Sequence, residues 1–197
     1  MGERQSRRQR STAETSIGIS LDVDGDGQSD VSTGLPFFDH MLAQLARHGG
    51  WNLSVEASGD LAVDAHHTVE DTGILLGQCL REALGDKRGV RRFASAAVPL
   101  DEALVDVALD LSGRPYLHYE LDPPGEKILG DPPFDPQLME EFWRAFVTSA
   151  AITLHLVLVR GRNTHHILES AFKSVARSLR DAVRVEGADV PSTKGTL

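Results

Sequence analysis

A single cysteine, Cys79, stands in the whole chain, so no disulfide can form within it, and the expected setting is a reducing cytoplasm. No run approaches the roughly eighteen apolar residues that a membrane-spanning helix needs, so no membrane is expected as a partner. The start, residues 1–15, is polar and arginine-rich and holds no apolar stretch of the kind a secretory signal carries. Lysine is scarce: of the 20 basic residues, 16 are arginine, which reflects composition more than mechanism. Positive charge as a whole is in deficit. The formal net charge of −9 argues against nucleic acid as the main partner. With 197 residues, 41% of them hydrophobic, the chain is long enough for one domain or for two small halves packed together.

Eight histidines are present, and five of them fall into one repeated plan. Asp64-Ala-His-His-Thr-Val-Glu70 returns as Asn163-Thr-His-His-Ile-Leu-Glu169. Each copy places Asp or Asn two positions before a His-His pair and Glu three after it, then runs into a helical pattern. The first helix shows Ile74, Leu75, Leu76, Cys79, Leu80 and Leu84, the second Phe172, Val175, Ala176, Leu179 and Val183. Asp64 and Asn163 are natural N-caps, which puts both pairs in a first helical turn. Upstream of each pair comes a short strand, 51–55 and 152–156, and before it a helix, 36–48 and 136–150. In that register His40 of the first copy aligns with Glu141 of the second. The second copy is two residues shorter after its strand, where deletion is tolerated. Extended segments at 16–21 with 30–33, and at 103–111 with 116–121, precede the first helix of each copy. One further strand is expected at 61–63 or at 93–100.

The fold class that follows is α+β: two duplicated half-domains, 11–96 and 97–197, packed together as one unit. Each is a small mixed or antiparallel sheet with two helices on one face. The proline-rich segment 122–136 is read as their loosest connection.

Neighbouring residues on a helix point about 100° apart, so His66 and His67 cannot readily bind one ion. Glu70 shares a face with either, at i+3 or i+4. One His of each pair can therefore serve each of two metals. Imidazole with carboxylate suits manganese, iron or zinc rather than copper. The plainer alternative, two solvated helix starts, does not explain why the pattern occurs twice. Asp22-Val-Asp-Gly-Asp-Gly27 imitates a calcium loop, but Thr33 stands where the closing Glu belongs. A Gly/Asp hairpin turn between two strands is the expectation there.

At this point the residues resemble a family. Phe37-Phe-Asp-His-Met-Leu42, His48-Gly49, Gly59-Asp60, His66-His-Thr-Val-Glu-Asp71, Leu100-Asp-Glu-Ala-Leu104, Ser112-Gly-Arg-Pro115, the second His-His segment with Phe172-Lys173, and Pro191-Ser-Thr-Lys-Gly195 resemble imidazoleglycerol-phosphate dehydratase in order and spacing. The likeness runs over nearly all of 11–197. It implies removal of water from imidazole glycerol phosphate to give imidazole acetol phosphate, in histidine biosynthesis. It implies two manganese ions per active site and a homo-oligomer of 24 subunits with metal sites shared between subunits. By motif, His40, His67, Glu70 and His166 would hold one ion, and His66, His165, Glu169 and Glu141 the other. Many members of the family have His at the position of Glu141.

The resemblance also casts Arg92, Arg114, Lys173, Ser192 and Lys194 as the grip on the phosphate, work that forked arginines suit. Glu14 would be the acid/base carboxylate. His48, on the helix of His40, is a candidate contact to substrate or to a metal ligand, or else a partly buried structural histidine. His118 and His155 carry no motif and are read as structural or surface residues. Two rivals use the same residues: a dinuclear metal phosphohydrolase, and a non-catalytic metal-binding shell protein.

Overall fold

The computed structural model describes residues 4–124 and 128–197. Residues 1–3 of the polar start and 125–127 of the segment 122–136 lie outside them.

The first half opens with a hairpin of β1 (Gln5–Ser11) and β2 (Thr15–Asp22). β3 (Ser29–Ser32), α1 (Pro36–Gly49), β4 (Asn52–Gly59) and α2 (His66–Leu84) follow. The second half repeats this order: β5 (Phe93–Leu100), β6 (Ala103–Asp110), β7 (Tyr116–Glu120), α3 (Leu138–Ala150), β8 (Thr153–Arg160) and α4 (Thr164–Ala182). Both sheets have the same topology, β1-β2-β4-β3 and β5-β6-β8-β7. In each, the first two pairings are antiparallel and the last is parallel. The duplication expected from the His-His segments therefore extends through every strand and helix.

Alternation drives the strands. Ile17, Ile19 and Leu21 of β2 and Val105, Val107 and Leu109 of β6 turn inward, and polar neighbours turn out. Proline at the first turn starts α1, and Gly50 ends it in the left-handed region at φ 71°. Helix α1 packs along α4 and α2 along α3, so every helix of one half meets a helix of the other, with the two sheets outside. Phe142 of α3 is the hub of this helical layer, ringed by Phe38, Trp143, Phe146 and Phe172. Close approach of α2 to α3 depends on two glycines. A Cβ on Gly73 would lie 2.6 Å from the Phe142 carbonyl oxygen, and one on Gly77 2.5 Å from that of Phe146.

Several expectations change. Strand β1 was not foreseen, because its arginines give no apolar alternation; side-chain bonds from Ser6 and Arg8 to Glu82, and from Arg10 to Asp71, secure it to α2. The extra strand of the second half is β5, whereas 61–63 is a turn that leaves Val63 72% exposed. Since β5 pairs along its length with β6, a division at 96/97 would cut it, and the sheets change over before Phe93. Segment 122–136 joins β7 to α3 inside the second half, and its Phe134 is fully buried against Phe37 and Phe38. Segment 22–27 is a turn but not a hairpin, because β4 lies between β2 and β3. Asn52 accepts hydrogen bonds from the Asp26 and Gln28 amides there.

Candidate metal centre

Both His-His pairs sit at helix starts. Asn163 caps α4 and accepts from the His166 amide; at α2 the cap position is Ala65, one residue beyond Asp64, whose side chain accepts from the His66 amide at 2.8 Å. The rings within each pair stand nearly perpendicular, at 84° in both copies, so they address different neighbours.

The first His of each pair turns along its own helix toward the Glu four residues on. His165 Nε2 lies 3.0 Å from Glu169 Oε2, and His66 Nε2 lies 4.0 Å from Glu70 Oε2. At the second half this meets His40 of α1, whose Nε2 is also 3.0 Å from Glu169 Oε2. Among the described residues, His40, His165 and Glu169 are the one group of three His, Cys, Asp or Glu side chains whose ligand atoms all lie within 4.8 Å of one another. Phe37 braces the His165 ring edge-on at 5.3 Å. Burial works to raise the Glu169 carboxyl, yet hydrogen bonds from Lys173, His40 and His165 outweigh it and hold it down at about 2.

Within one chain the neighbours differ from the sets that the resemblance implies for sites shared between subunits. The resemblance paired His40 with His67, Glu70 and His166; in the structure His40 joins His165 and Glu169. The reason is helix packing, since α1 lies along α4. Glu141 belongs to α3, which lies along α2, but its side chain lines a cleft of about 470 Å³ with Tyr119, Glu120 and Gln137. It joins no ligand group among the described residues.

The second His of each pair turns to a carboxylate from another element. His67 Nδ1 is 3.0 Å from Asp60 and 3.8 Å from Glu14. The bond to Asp60, opposed by desolvation and helped by the charge of Glu14, raises the His67 imidazole above its ordinary value. His166 Nδ1 is 2.8 Å from Glu102. That bond, with the amides of Asn163 and Arg162, lowers the Glu102 carboxyl to about 2. Asp60 and Glu102 carried no assigned role in the sequence. A usable signal existed for Glu102: it directly precedes β6 as Glu14 directly precedes β2.

Among the expected phosphate contacts, Arg92 is committed on two sides, to Asp110 at 2.7 Å and to the Pro191 carbonyl at 2.7 Å. It thereby fixes the C-terminal tail carrying Ser192 and Lys194, whose end passes Gly113 beside the exposed Arg114. Lys173 stands apart from that group, 2.7 Å from Glu169. His48 bonds Gln44 at 3.1 Å. Desolvation and the charges of Lys173 and Arg177 lower its imidazole below the ordinary value. The rings of His118 and His155 lie 5.4 Å apart and tilted by 37° on the paired strands β7 and β8. No helix among the described residues is long and apolar enough to cross a membrane.

Fold and site together define a class: a duplicated α+β protein with a His-His-x-x-Glu helix start in each half. The family profile described as imidazoleglycerol-phosphate dehydratase matches residues 33–179. Relatives of that name include one from Acidothermus cellulolyticus, 57% identical over 98% of this chain and 93% of its own. Another, from Gluconobacter oxydans, is 54% identical over 98% of each. The crystal structure of imidazoleglycerol-phosphate dehydratase from Staphylococcus aureus has a TM-score of 0.81 at 38% identity, covering 93% of this chain and 99% of that one. That from Pyrococcus furiosus has a TM-score of 0.82 at 36% identity, covering 96% and 100%. The chain belongs to the imidazoleglycerol-phosphate dehydratase family and is a hydro-lyase of histidine biosynthesis.

Proposed function

We propose that the protein dehydrates D-erythro-imidazole glycerol phosphate to imidazole acetol phosphate, with two manganese ions per active site, in the cytoplasm. The observation that carries the metal reading is the convergence of His40, His165 and Glu169 from two repeats. Two imidazole nitrogens and a carboxylate oxygen suit a divalent ion of intermediate hardness. By the internal repeat His66, Glu70 and Glu141 correspond to that trio, and Glu141 would act as a ligand once the second set is assembled. Three protein ligands leave that trio short of four, and His67 and His166 face other directions. In this reading those two histidines complete the sites of neighbouring subunits, in a homo-oligomer of 24 chains with shared sites.

The reaction removes a proton from carbon that no carbonyl activates, and hydroxide leaves poorly. Bound manganese would supply Lewis acidity and orientation toward the imidazole and the substrate hydroxyl. The chain supplies the rest. Glu14, 55% exposed on its side chain at the β1–β2 turn, is the carboxylate placed to take and return the proton. Arg114, Ser192 and Lys194 hold the phosphate, and Arg92 keeps the tail in place for them. Lys173 fixes Glu169, and His48 is held by Gln44 for contact with substrate.

The test is a manganese-supplemented assay on imidazole glycerol phosphate that follows both ketone product and inorganic phosphate. Ketone without phosphate release is expected. Phosphate without ketone would make the protein a hydrolase, and neither product would leave a metal-binding shell.

A further inference from the structure

The two inner histidines share a geometry that the ligand set alone does not explain. A neutral imidazole carries one proton, and a carboxylate can only accept a hydrogen bond. Asp60 therefore holds the proton of His67 on Nδ1, at 3.0 and 3.2 Å to its two oxygens. Glu102 does the same for His166 at 2.8 Å. In both, the nitrogen left with its lone pair is Nε2, and a metal needs such a lone pair.

The repeats reach this result by different routes. In the second half Glu102, from the β5–β6 turn, has split duties: Oε2 takes His166, and Oε1 takes the amides of Arg162 at 3.1 Å and Asn163 at 2.8 Å. The carboxylate at the same place in the first half is Glu14, from the β1–β2 turn. It stops at 3.8 Å from His67, beyond hydrogen-bond reach, because Asp60 already occupies Nδ1. Asp60 belongs to the longer of the two strand-to-helix loops.

We propose that Glu102 and Asp60 are positioning residues which fix the tautomer and aim of the metal ligands His166 and His67, and that Asp60, by relieving Glu14 of this duty, leaves Glu14 able to act on substrate. The inference rests on the metal reading of these histidines, and part of its test needs no metal.

Glu102→Gln separates the two duties. Its one oxygen can keep the amides of Arg162 and Asn163, which leaves an NH₂ facing His166. An NH₂ only donates, so Nδ1 loses its acceptor and the proton moves to Nε2. Circular dichroism and thermal midpoint should stay as in the wild type. The ¹⁵N shifts of the His166 ring in metal-free protein should switch tautomer. Manganese titration should show one class of site weakened on the order of tenfold to a hundredfold, the usual effect of losing such a partner.

Asp60→Ala should weaken the site of His67 by a similar factor, and Asp60→Asn should restore most of it, since the amide oxygen can still accept from Nδ1. An unchanged His166 tautomer in folded Glu102→Gln overturns the inference. So does Asp60→Ala with wild-type manganese affinity. Should the wild type bind no manganese while the tautomer still switches, the metal reading fails and the positioning of the ring stands.

Discussion

Glu14 and Glu169 show how placement separates two carboxylates that lie beside motif histidines. Glu14 is exposed in a turn with His67 3.8 Å away, whereas Glu169 is enclosed by His40, His165 and Lys173. Glu14→Gln keeps size and hydrogen bonding but removes the base. It should lower kcat by about 10²–10⁴ while manganese content and KM stay near wild type. Near-normal turnover would hand the role to His48. Glu169, held at about 2 against an ordinary 4.5, gives a pH expectation for the metal-free protein. A depressed carboxyl adds stability that is complete above 4.5 and fades as pH falls toward 2. In urea unfolding, the gap between wild type and Glu169→Gln should therefore be constant above 4.5 and close below it. A gap that persists through that window would mean the ion pairs contribute little. At this scale the sequence was most legible in the His-His-x-x-Glu segments, because i and i+4 are neighbours on any helix. Asp60 and Glu102 were opaque, since they reach their histidines across a loop and a hairpin turn.

Helices α2 and α3 touch through backbone, and this sets the expectation for their glycines. Gly77→Ala places a methyl carbon 2.5 Å from the Phe146 carbonyl oxygen and 2.9 Å from the Ala150 amide, so the helices must separate. Denaturation should show a loss of roughly 1–3 kcal/mol, the common cost of overpacking. Gly187→Ala, which meets nothing within 4 Å, should be neutral beside it. Equal stability of the two variants would mean that α2 and α3 shift without strain. The helices were read to within two residues from their periodicity and caps. Strand β1 was not, because an arginine-rich edge strand shows the apolar alternation of its neighbours nowhere. The turn at 22–27 misled for a related reason: turn residues announce a reversal but not which strand will lie beside the next.

At the scale of the whole molecule, the proposed sharing of ligands between subunits would tie metal to assembly. Chelation should abolish activity and reduce a large particle to smaller oligomers, both recovering when manganese is returned. Size-exclusion of the chelated protein at its original volume would place all ligands of each ion within one chain. Duplication itself was legible, since one motif recurring in register with its strand and helix is hard to reach by chance. The pairing of the halves was not, because repeat alignment says which residues correspond and is silent on which ones meet. Packing α1 on α4 gave His40 to Glu169 rather than to its own half. Neither repeat, on its own, could have gathered that trio of donors. Two separate copies of one half would have to carry the same side chain at the positions of His40 and Glu141. Joined in one chain the two positions are free to differ, and here one is an imidazole and the other a carboxylate.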